Sequence, residues 1–461
     1  MNLKKSKKSN DTLDRSRALV RFWSSTEYSG FLEGLMRELT DEGFEAEQRF
    51  QISEASYRSA KSTPARLFLR FRQYVAYPVQ LITALLKRKL SSEPRSDSAL
   101  SSRPSALCND VCVVSSNTFY APLIATYLHP NVVHLVYDLF PEAMIHSGKW
   151  TEGTLKVKVV RWITKQTLKR SKTNVFLGER LKDYVESIHG SVDNPAIIAV
   201  GGDQALFGLS PKERLGRPES GDLRPEKGAS LKTHPLHSSL STPHSEPRAQ
   251  PAVLYCGNFG NMHDSETLFE YWRQAASAMA DGELLIANRE VDPGQSTSNQ
   301  QHPTSIEIAW QFHCSGPKRA ALEAERAQLP AALQQQIHLG GGLDQEAWIT
   351  TMESADVALV TMSPGSETVV MPSKTYSAMM AGQAILAIAP ENSDLVDLIK
   401  TVDCGWWLEP GDVAGIEAAL KVIHSDPELL LYKRENAFDY AHTNLGQDSL
   451  ARKWRAILLN A

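Results

Sequence analysis

Lys374 and the hydroxyl residues beside it form the group of side chains with the clearest chemical potential in this chain. They lie in the stretch 371–382, which reads M-P-S-K-T-Y-S-A-M-M-A-G. If Ser373 is the N-cap of a helix, the backbone N–H groups of Lys374, Thr375 and Tyr376 have no acceptor within that helix. These N–H groups, the positive end of the helix dipole and the lysine ammonium together favour an anion, most often a phosphate.

Two apolar runs flank this stretch and would position it. Residues 356–361, D-V-A-L-V-T, and 384–389, A-I-L-A-I-A, are short runs with mainly apolar side chains, as buried parallel strands have. Gly382 stands where a helix end favours a left-handed residue. The unit therefore reads strand, loop, short helix, strand. A capped core helix with a solvated lysine is the alternative interpretation of the same pattern.

Similar strand–helix alternation extends over the whole second half of the chain. Strands are predicted near 252–256, 283–288, 306–313, 336–339, 356–361, 384–389 and 405–408. Ligands of such doubly wound parallel sheets bind outside the carboxyl ends of the strands. Two further groups fall at those ends, namely Gly257, Asn258 and Gly260 after the first strand, and Lys318 with Arg319 after the third. The backbone N–H groups of the glycine loop and the two cations would suit an anion, although Lys318 and Arg319 need no function if they are surface residues of a helix start.

The motifs of this half resemble the donor-binding domain of GT-B glycosyltransferases of family 4, in the bacterial branch that builds capsule, O-antigen and exopolysaccharide. The resemblance covers about 251–458. The segments that carry it are L-Y-C-G-N-F-G-N-M-H-D at 254–264, A-D-V-A-L-V at 355–360, P-S-K-T-Y-S-A-M-M-A-G at 372–382, A-P-E-N-S-D-L-V-D-L-I at 389–399 and C-G-W-W-L-E-P-G-D at 404–412.

The resemblance implies a GT-B architecture, in which two Rossmann-like domains face each other across a cleft. It implies that Gly30 lies in a glycine loop facing the cleft, although a plain strand-to-helix turn explains Gly30 equally well. Asp138, in Y-D-L-F-P-E, matches an element at the cleft edge and is the candidate to touch the sugar or acceptor; Asp138 could also cap a turn. Many members carry a histidine at the position of Tyr137.

The family's two central glutamates are absent here. Counted back from Gly382, their positions hold Val369 and Ser377, and Glu367 is out of register. Ser377 is therefore assigned to substrate binding only, and Lys374 is predicted to be the main phosphate cation. No D-x-D stands at a suitable strand end, and the resemblance implies no metal and no cofactor beyond the nucleotide-sugar substrate.

The function that follows is transfer of a sugar from a nucleotide sugar to a saccharide or lipid-linked acceptor in surface polysaccharide or glycolipid synthesis. Retention of configuration is implied by the resemblance alone. Two alternatives remain open. One is a non-catalytic GT-B protein that binds a nucleotide sugar or a partner glycosyltransferase, and the other is a nucleotide-sugar epimerase.

The domain organisation follows from composition along 461 residues. We predict a disordered basic tail at 1–17, a Rossmann-like acceptor domain at 18–209, a disordered low-complexity insertion at 210–250, a donor domain at 251–426, and helices at 427–461 that cross back to the first domain. A net charge of −4 gives no case for a nucleic-acid partner. Five scattered cysteines indicate free thiols in a reducing compartment, hence a cytoplasmic protein.

Residues 65–90 are rich in aromatic and aliphatic residues with basic residues at both ends. The uncharged part, 73–86, is too short to span a bilayer. Two interpretations remain open: a helix lying in the interface on the inner face of the membrane, and a core helix of the first domain interrupted at Pro78.

Overall fold

The computed structural model describes residues 19–27, 31–53, 56, 62–92, 110–137, 139–215, 250–280, 308–369 and 372–460. Within these ranges the strands form two sheets, each of six parallel strands with helices packed on it. The predicted architecture of two Rossmann-like domains is therefore confirmed. The predicted tail 1–17, most of the insertion 210–250 and the predicted strand 283–288 lie outside the described residues.

The first sheet has the order β2-β1-β3-β4-β5-β6. Its strands are β1 (Leu19–Trp23), β2 (Glu45–Arg49), β3 (Val111–Ser115), β4 (Val132–Val136), β5 (Thr173–Phe176) and β6 (Pro195–Ile197). Its helices are α1 (Phe31–Asp41), α2 (Thr63–Phe71), α3 (Tyr77–Ser92), α4 (Ala121–Leu128), α5 (Glu142–His146), α6 (Leu155–Arg170) and α7 (Glu179–His189). The short α8 (Pro211–Arg214) follows in the chain and contacts the second domain, since the Arg214 guanidinium donates to the carbonyls of Glu353 and Ala381.

The second sheet has the order β12-β11-β10-β7-β8-β9. Its strands are β7 (Ala252–Asn258), β8 (Ala309–Ser315), β9 (Ile337–Gly340), β10 (Val357–Thr361), β11 (Ala384–Ile388) and β12 (Gly405–Leu408). Its helices are α9 (Glu266–Ala280), α10 (Arg319–Gln328), α11 (Ala331–Gln336), α12 (Gln345–Ser354), α13 (Lys374–Met380), α14 (Asp394–Val402), α15 (Val413–Ser425) and α16 (Pro427–Leu445). The helix that follows, α17 (Gln447–Asn460), packs on the first domain.

The two strands β10 and β11 form the most deeply buried part of the second sheet. Every residue of β10 and β11 is buried, and the two strands pair over their whole length. Because both faces of such a strand are covered by helices, its sequence is continuously apolar and does not alternate. The strand ends that carry the candidate site, those of β7, β8, β9 and β10, therefore meet at one edge.

Two predictions about the first sheet need correction. The sequence I-I-A-V-G-G at 197–202 resembles the family's last strand of this domain and its turn into the linker, but β6 spans Pro195–Ile197 and the next residues have no regular structure until Gln204. The edge strand β2 was not predicted, because its sequence E-A-E-Q-R lacks the apolar pattern of a strand.

The segment 65–90 combines features of both predicted interpretations. Helix α3 buries Tyr77, Leu81 and Leu85 against the sheet, as a core helix does. Helix α2 has no buried residue. The interruption is a π-helical turn at Arg72–Ala76, just before Pro78.

The two domains touch through side chains of both. The carboxylate of Asp394, at the start of α14, accepts from the backbone N–H of Arg180 at 3.1 Å and so caps α7, whose own N-cap is Gly178. The C-terminal helix α17 packs on α1, and the ring of Trp454 lies 5.5 Å from that of Phe22.

Candidate active site

The loops after β7, β8 and β10 are joined to one another by backbone hydrogen bonds. The N–H of Phe259 donates to the carbonyl of Ser315 at 2.6 Å, and the N–H of Ser363 donates to that of Met262 at 2.8 Å. The ring of His263 bonds the carbonyl of Thr361 at 2.8 Å. The carboxyl edge of the sheet is therefore a single connected surface, as the strand order predicts.

Lys374 lies at the centre of this edge. Its ammonium is 3.9 Å from the ring centroid of Tyr255 and donates to the Tyr255 hydroxyl at 2.5 Å. That hydroxyl in turn donates to the carbonyl of Asn258 at 2.9 Å. None of the ion pairs among the described residues includes Lys374. The ammonium is thus held by neutral groups in a fixed position next to the first glycine loop.

The electrostatics of this position disfavour an uncompensated cation. Burial lowers the pKa of Lys374 to about 7. Burial and the neighbouring Lys374 together lower the pKa of His263 to about 3. Burial raises the pKa of the Cys256 thiol, so no thiolate forms there to balance the charge. A bound anion would supply the missing negative charge and restore the ordinary pKa of the lysine.

The predicted helix start differs from the observed one. Ser373 has helical backbone angles and its side chain makes no cap hydrogen bond, so it is not the side-chain N-cap that was predicted. The N–H of Thr375 donates to the carbonyl of Pro372 and that of Tyr376 to the carbonyl of Ser373. The prediction of free N–H groups at Thr375 and Tyr376 is therefore wrong. Gly382, with φ +69°, follows the helix as predicted.

The side chains of α13 divide between the core and the domain junction. Thr375 and Tyr376 are buried, and Ser377 is half-buried. A Cβ added to Gly202, in the segment that leaves the first domain, would lie 3.1 Å from the Ser377 hydroxyl and 2.6 Å from the Met380 sulfur. Ser377 therefore lies against the domain junction.

Lys318 and Arg319 brace the loops. The ammonium of Lys318 donates to the carbonyl of His263, and burial lowers its pKa. The guanidinium of Arg319 donates to the carbonyls of Cys314, at 2.8 Å, and Gly340. Both cations lie at the predicted edge, and both have protein acceptors.

The glycine loop after β7 makes a close turn. Gly257 has φ +132°, and a Cβ added there would meet no atom within 4 Å. Gly260 is buried and Asn258 is exposed. A Cβ on Gly316, also at positive φ, would lie 2.7 Å from the carbonyl oxygen of Phe259. Glycine at 316 thus lets the loops after β7 and β8 approach each other.

The first domain contributes a group of polar side chains that we did not predict. Glu142 is 1% exposed; one of its oxygens accepts from Arg161 at 2.7 Å, and the other has no partner among the described residues. Arg161 also bonds Glu152. Asp138 and Gly30, the two residues predicted for this side, lie outside the described residues.

Residues of both domains meet beside Glu142. A ring nitrogen of His146 lies 3.4 Å from the Tyr184 hydroxyl, and a Cβ added to Gly365 would lie 3.6 Å from the other ring nitrogen of His146. Burial raises the pKa of Tyr184, and Glu142 and Glu367 raise it further. One oxygen of Glu367 is buried without a partner among the described residues. We call Glu142, His146, Tyr184 and Glu367 the cross-domain cluster.

The cross-domain cluster could not be predicted from local sequence patterns. Glu142 stands in the Y-D-L-F-P-E element that marked Asp138, but no local feature connects it with Glu367, more than two hundred positions later. Within the described ranges no three His, Cys, Asp or Glu side chains are grouped closely enough to hold a metal ion. The cysteines described there, Cys112, Cys256, Cys314 and Cys404, are free thiols.

The fold matches that of known sugar-transferring enzymes. No protein-family model and no curated protein sequence matches the chain. Solved structures match nearly all of it. HepE from Anabaena, in complex with UDP, has a TM-score of 0.57 at 11% identity, covering 96% of this chain and 100% of HepE. HepE has also been solved with UDP-glucose, at the same score.

Two further enzymes show the same similarity. Sucrose-phosphate synthase from Thermosynechococcus elongatus has a TM-score of 0.55 at 13% identity, over 96% of this chain and 100% of the enzyme. WaaG, a glycosyltransferase involved in lipopolysaccharide biosynthesis, has 0.51 at 14% identity, over 96% and 99%. These enzymes have the GT-B fold, and this chain has it as well, as predicted.

Proposed function

We propose that the protein is a metal-independent, family 4-like glycosyltransferase that moves a sugar from a nucleotide sugar to a saccharide or lipid-linked acceptor in surface polysaccharide or glycolipid synthesis. We further propose that the transfer retains the configuration of the sugar. The GT-B fold supports the class, because the similar proteins include HepE with UDP-glucose and WaaG of lipopolysaccharide biosynthesis.

The observation that carries the proposal is the ammonium of Lys374 at the carboxyl edge of the second sheet, which has no ion-pair partner among the described residues. Burial without a carboxylate is unfavourable for an ammonium, and the arrangement gains free energy when a diphosphate binds beside it. Negative charge grows on the diphosphate as the sugar leaves, so a fixed cation there attracts the transition state more strongly than the ground state.

The other proposed substrate contacts come from both domains. Gly257, Asn258 and Gly260 approach the diphosphate through their backbone. Lys318, Arg319, Ser373, Thr375, Tyr376 and Ser377 line or support the donor site, and Gly30 and Asp138 contact the substrates from the first domain, with Asp138 the proposed catalytic residue there.

The cross-domain cluster is proposed to bind hydroxyl groups of the sugar or the acceptor. Its carboxylates of Glu142 and Glu367 each have an oxygen with no partner among the described residues, and a sugar offers hydroxyl donors. The cluster draws on both domains, so a ligand held there would also hold the domains together.

A non-catalytic GT-B protein is the second candidate, because Val369 and Ser377 stand where the family has its central glutamates. The two candidates differ in turnover. Release of free nucleoside diphosphate only when acceptor is present supports the enzyme, whereas binding of a nucleotide sugar without turnover supports the second candidate.

A thermal-shift screen against a panel of nucleotide sugars tests the donor site directly. A ligand at a hundred times its dissociation constant stabilises by about 2.7 kcal/mol. We expect the shift in the wild type and in Lys421→Met, a change at a lysine whose side chain is 59% exposed, and its loss in Lys374→Met. Equal thermal shifts in all three proteins would show that Lys374 does not contact the nucleotide sugar.

We also propose peripheral membrane contact through 65–90, on the cytoplasmic face. Leu67, Phe68 and Phe71 of α2 are 67%, 60% and 55% exposed, which is unusual for side chains this apolar. Vesicle co-sedimentation should fall in Phe68→Ser/Phe71→Ser. Leu85, in the same segment, is 3% exposed and belongs to the core, so it is unsuitable as a test position.

Among the described residues, no helix combines the length and the apolar character that a bilayer crossing requires.

A further inference from the structure

Helix α6 carries an exposed apolar stripe. Leu155, Val159 and Trp162 are 77%, 47% and 56% exposed and, at spacings of four and three residues, lie on one face of the helix. The opposite face is buried in the domain through Val157, Val160, Thr164, Thr167 and Leu168. The exposed stripe is therefore separate from the side of α6 that packs in the domain core.

Basic residues border this stripe. Lys158, Lys165 and Lys169 run along one side, and Lys156 and Arg170 lie on the other. The 16 residues of α6 include six basic and no acidic side chains, in a chain with a net charge of −4. An apolar centre with a cationic border matches an anionic lipid surface, where apolar side chains enter below the headgroups and lysines remain among the phosphates.

The stripe continues into the surface that holds α2 and α3. Helix α4 packs against both α3 and α6, so the three form one layer on the sheet. Tyr127 of α4 is 59% exposed, and the guanidinium of Arg170 lies 3.9 Å from its ring centroid. The segment 63–92 also contains six basic and no acidic residues. The outer side of the layer thus has the same chemistry from α2 to α6.

We propose that α6 is a second membrane-contacting element, and that an anionic bilayer covers Leu155, Val159 and Trp162 together with the outer faces of α2 and α3. This inference deepens the proposed function by naming the surface on which a lipid-linked acceptor would be met. Contact through α6 at one end of this surface and through α2 at the other would fix the tilt of the domain on the bilayer. Arg161, on the inner side of α6, bonds Glu142 of the cross-domain cluster, so α6 connects the proposed membrane face with the cluster.

Co-sedimentation of the full chain with phosphatidylcholine vesicles, with and without phosphatidylglycerol, tests the proposal. We expect Leu155→Ser/Val159→Ser/Trp162→Ser to lower the partition coefficient by about tenfold or more, since all three side chains leave the apolar region. We expect Lys158→Gln/Lys165→Gln/Lys169→Gln to lower it by about fivefold per lysine, and only on anionic vesicles. Tyr432→Ser, at an equally exposed aromatic residue of the second domain, should bind like the wild type.

Three outcomes would overturn the inference. One is wild-type protein that binds no vesicle. Another is α6 variants that bind like the wild type while Phe68→Ser/Phe71→Ser does not, which would confine the contact to 63–92. The third is a dimer in light scattering that the α6 changes convert to a monomer, which would assign the stripe to a second copy of the chain. The thermal shift with nucleotide sugars is measured on the same variants, so failure of the donor site is recorded separately from failure of the membrane contact.

Discussion

The ammonium of Lys374 lies over the ring of Tyr255, 3.9 Å from its centroid, and donates to the hydroxyl of the same residue. Tyr255 precedes Lys374 by 119 positions and comes from the central strand of the sheet, whereas the lysine begins α13. The ring attracts the cation, and the hydroxyl fixes its direction. The lysine is therefore oriented before any ligand arrives.

Replacing Lys374 with alanine should lower turnover by about 10²–10³, the scale for losing one strong donor to a developing negative charge. Lys374→Arg should recover only part of the activity, because a planar guanidinium does not fit a site shaped around a compact ammonium. Steady-state kinetics with saturating acceptor measures both variants. Full activity and unchanged nucleotide-sugar affinity in Lys374→Ala would contradict the donor-site assignment.

The stability of the ligand-free protein should also respond to this lysine. The pKa of Lys374 falls from its ordinary 10.5 to about 7 on folding, so the penalty for burying the charge is fully present below pH 7 and disappears as the pH rises towards 10.5. Lys374→Met should accordingly raise the melting temperature at pH 6 and lose this advantage at higher pH. A solvated lysine, the alternative interpretation of the sequence, would have no such influence on stability. A melting temperature below that of the wild type at pH 6 would contradict the burial penalty.

Binding of a nucleoside diphosphate should take up a proton above neutral pH. The bound anion favours the charged lysine, while the free protein holds it with a pKa of about 7, so affinity should fall as the pH rises from 7 to 9. Titration calorimetry with UDP in buffers of different ionisation enthalpy measures the proton uptake. Lys374→Met is the control, and its weaker binding should not take up this proton. Identical proton uptake in both proteins would exclude Lys374 as the source.

The cross-domain cluster should matter for turnover more than for folding. A hydrogen bond to a charged group contributes about 1.5–3 kcal/mol, so Glu367→Gln should lower kcat/KM by about tenfold to a hundredfold if a substrate hydroxyl uses the carboxylate. Tyr184→Phe removes the hydroxyl that faces His146 and tests the same contact. Glu391→Gln, at an exposed carboxylate of the same domain, should leave kcat/KM unchanged. Wild-type kinetics in Glu367→Gln would assign the cluster to domain packing alone.

The ion pair of the buried Arg434 with the partly buried Asp356 should contribute more to the stability of the second domain than an exposed pair does. The guanidinium lies 2.7 Å from the carboxylate and also donates to the carbonyl of Gly382 at 2.9 Å, and Arg434 is only 8% exposed. Arg434→Met leaves a charge without its cation and should cost about 3–5 kcal/mol in urea unfolding. Lys421→Met breaks an exposed pair one helical turn apart with Glu417 and should cost about 0.3–0.5 kcal/mol. Similar costs for the two changes would show that burial of Arg434 is not decisive.

The second domain could be predicted well because its signals are local. Strands β10 and β11 have continuous apolar sequences, and Gly382 marks the end of α13. Strand β2 was missed because its residues are polar. A sequence pattern reports burial on both faces, and an edge strand with half-exposed side chains gives no such pattern.

The site was harder to predict, because its properties depend on distant residues. The burial of Lys374 is due to Tyr255 and its neighbours, and the use of the Thr375 and Tyr376 N–H groups depends on the backbone angles of Ser373. Neither is visible in the stretch 371–382 itself. The meeting of His146 and Tyr184 with Glu367 requires both domains to be in place.

Helix α17 has a consequence for how the chain is made. Leu450, Ala451, Trp454 and Leu458 complete the core of the first domain, packing with Phe22, Leu35 and Val113. A ribosome synthesises these residues only after the strands of the second sheet. The first domain can pair its strands early, but part of its core stays open to water until α17 has been synthesised. During that interval, chaperones and proteases meet an unfinished first domain beside a second domain whose own strands are already available for pairing.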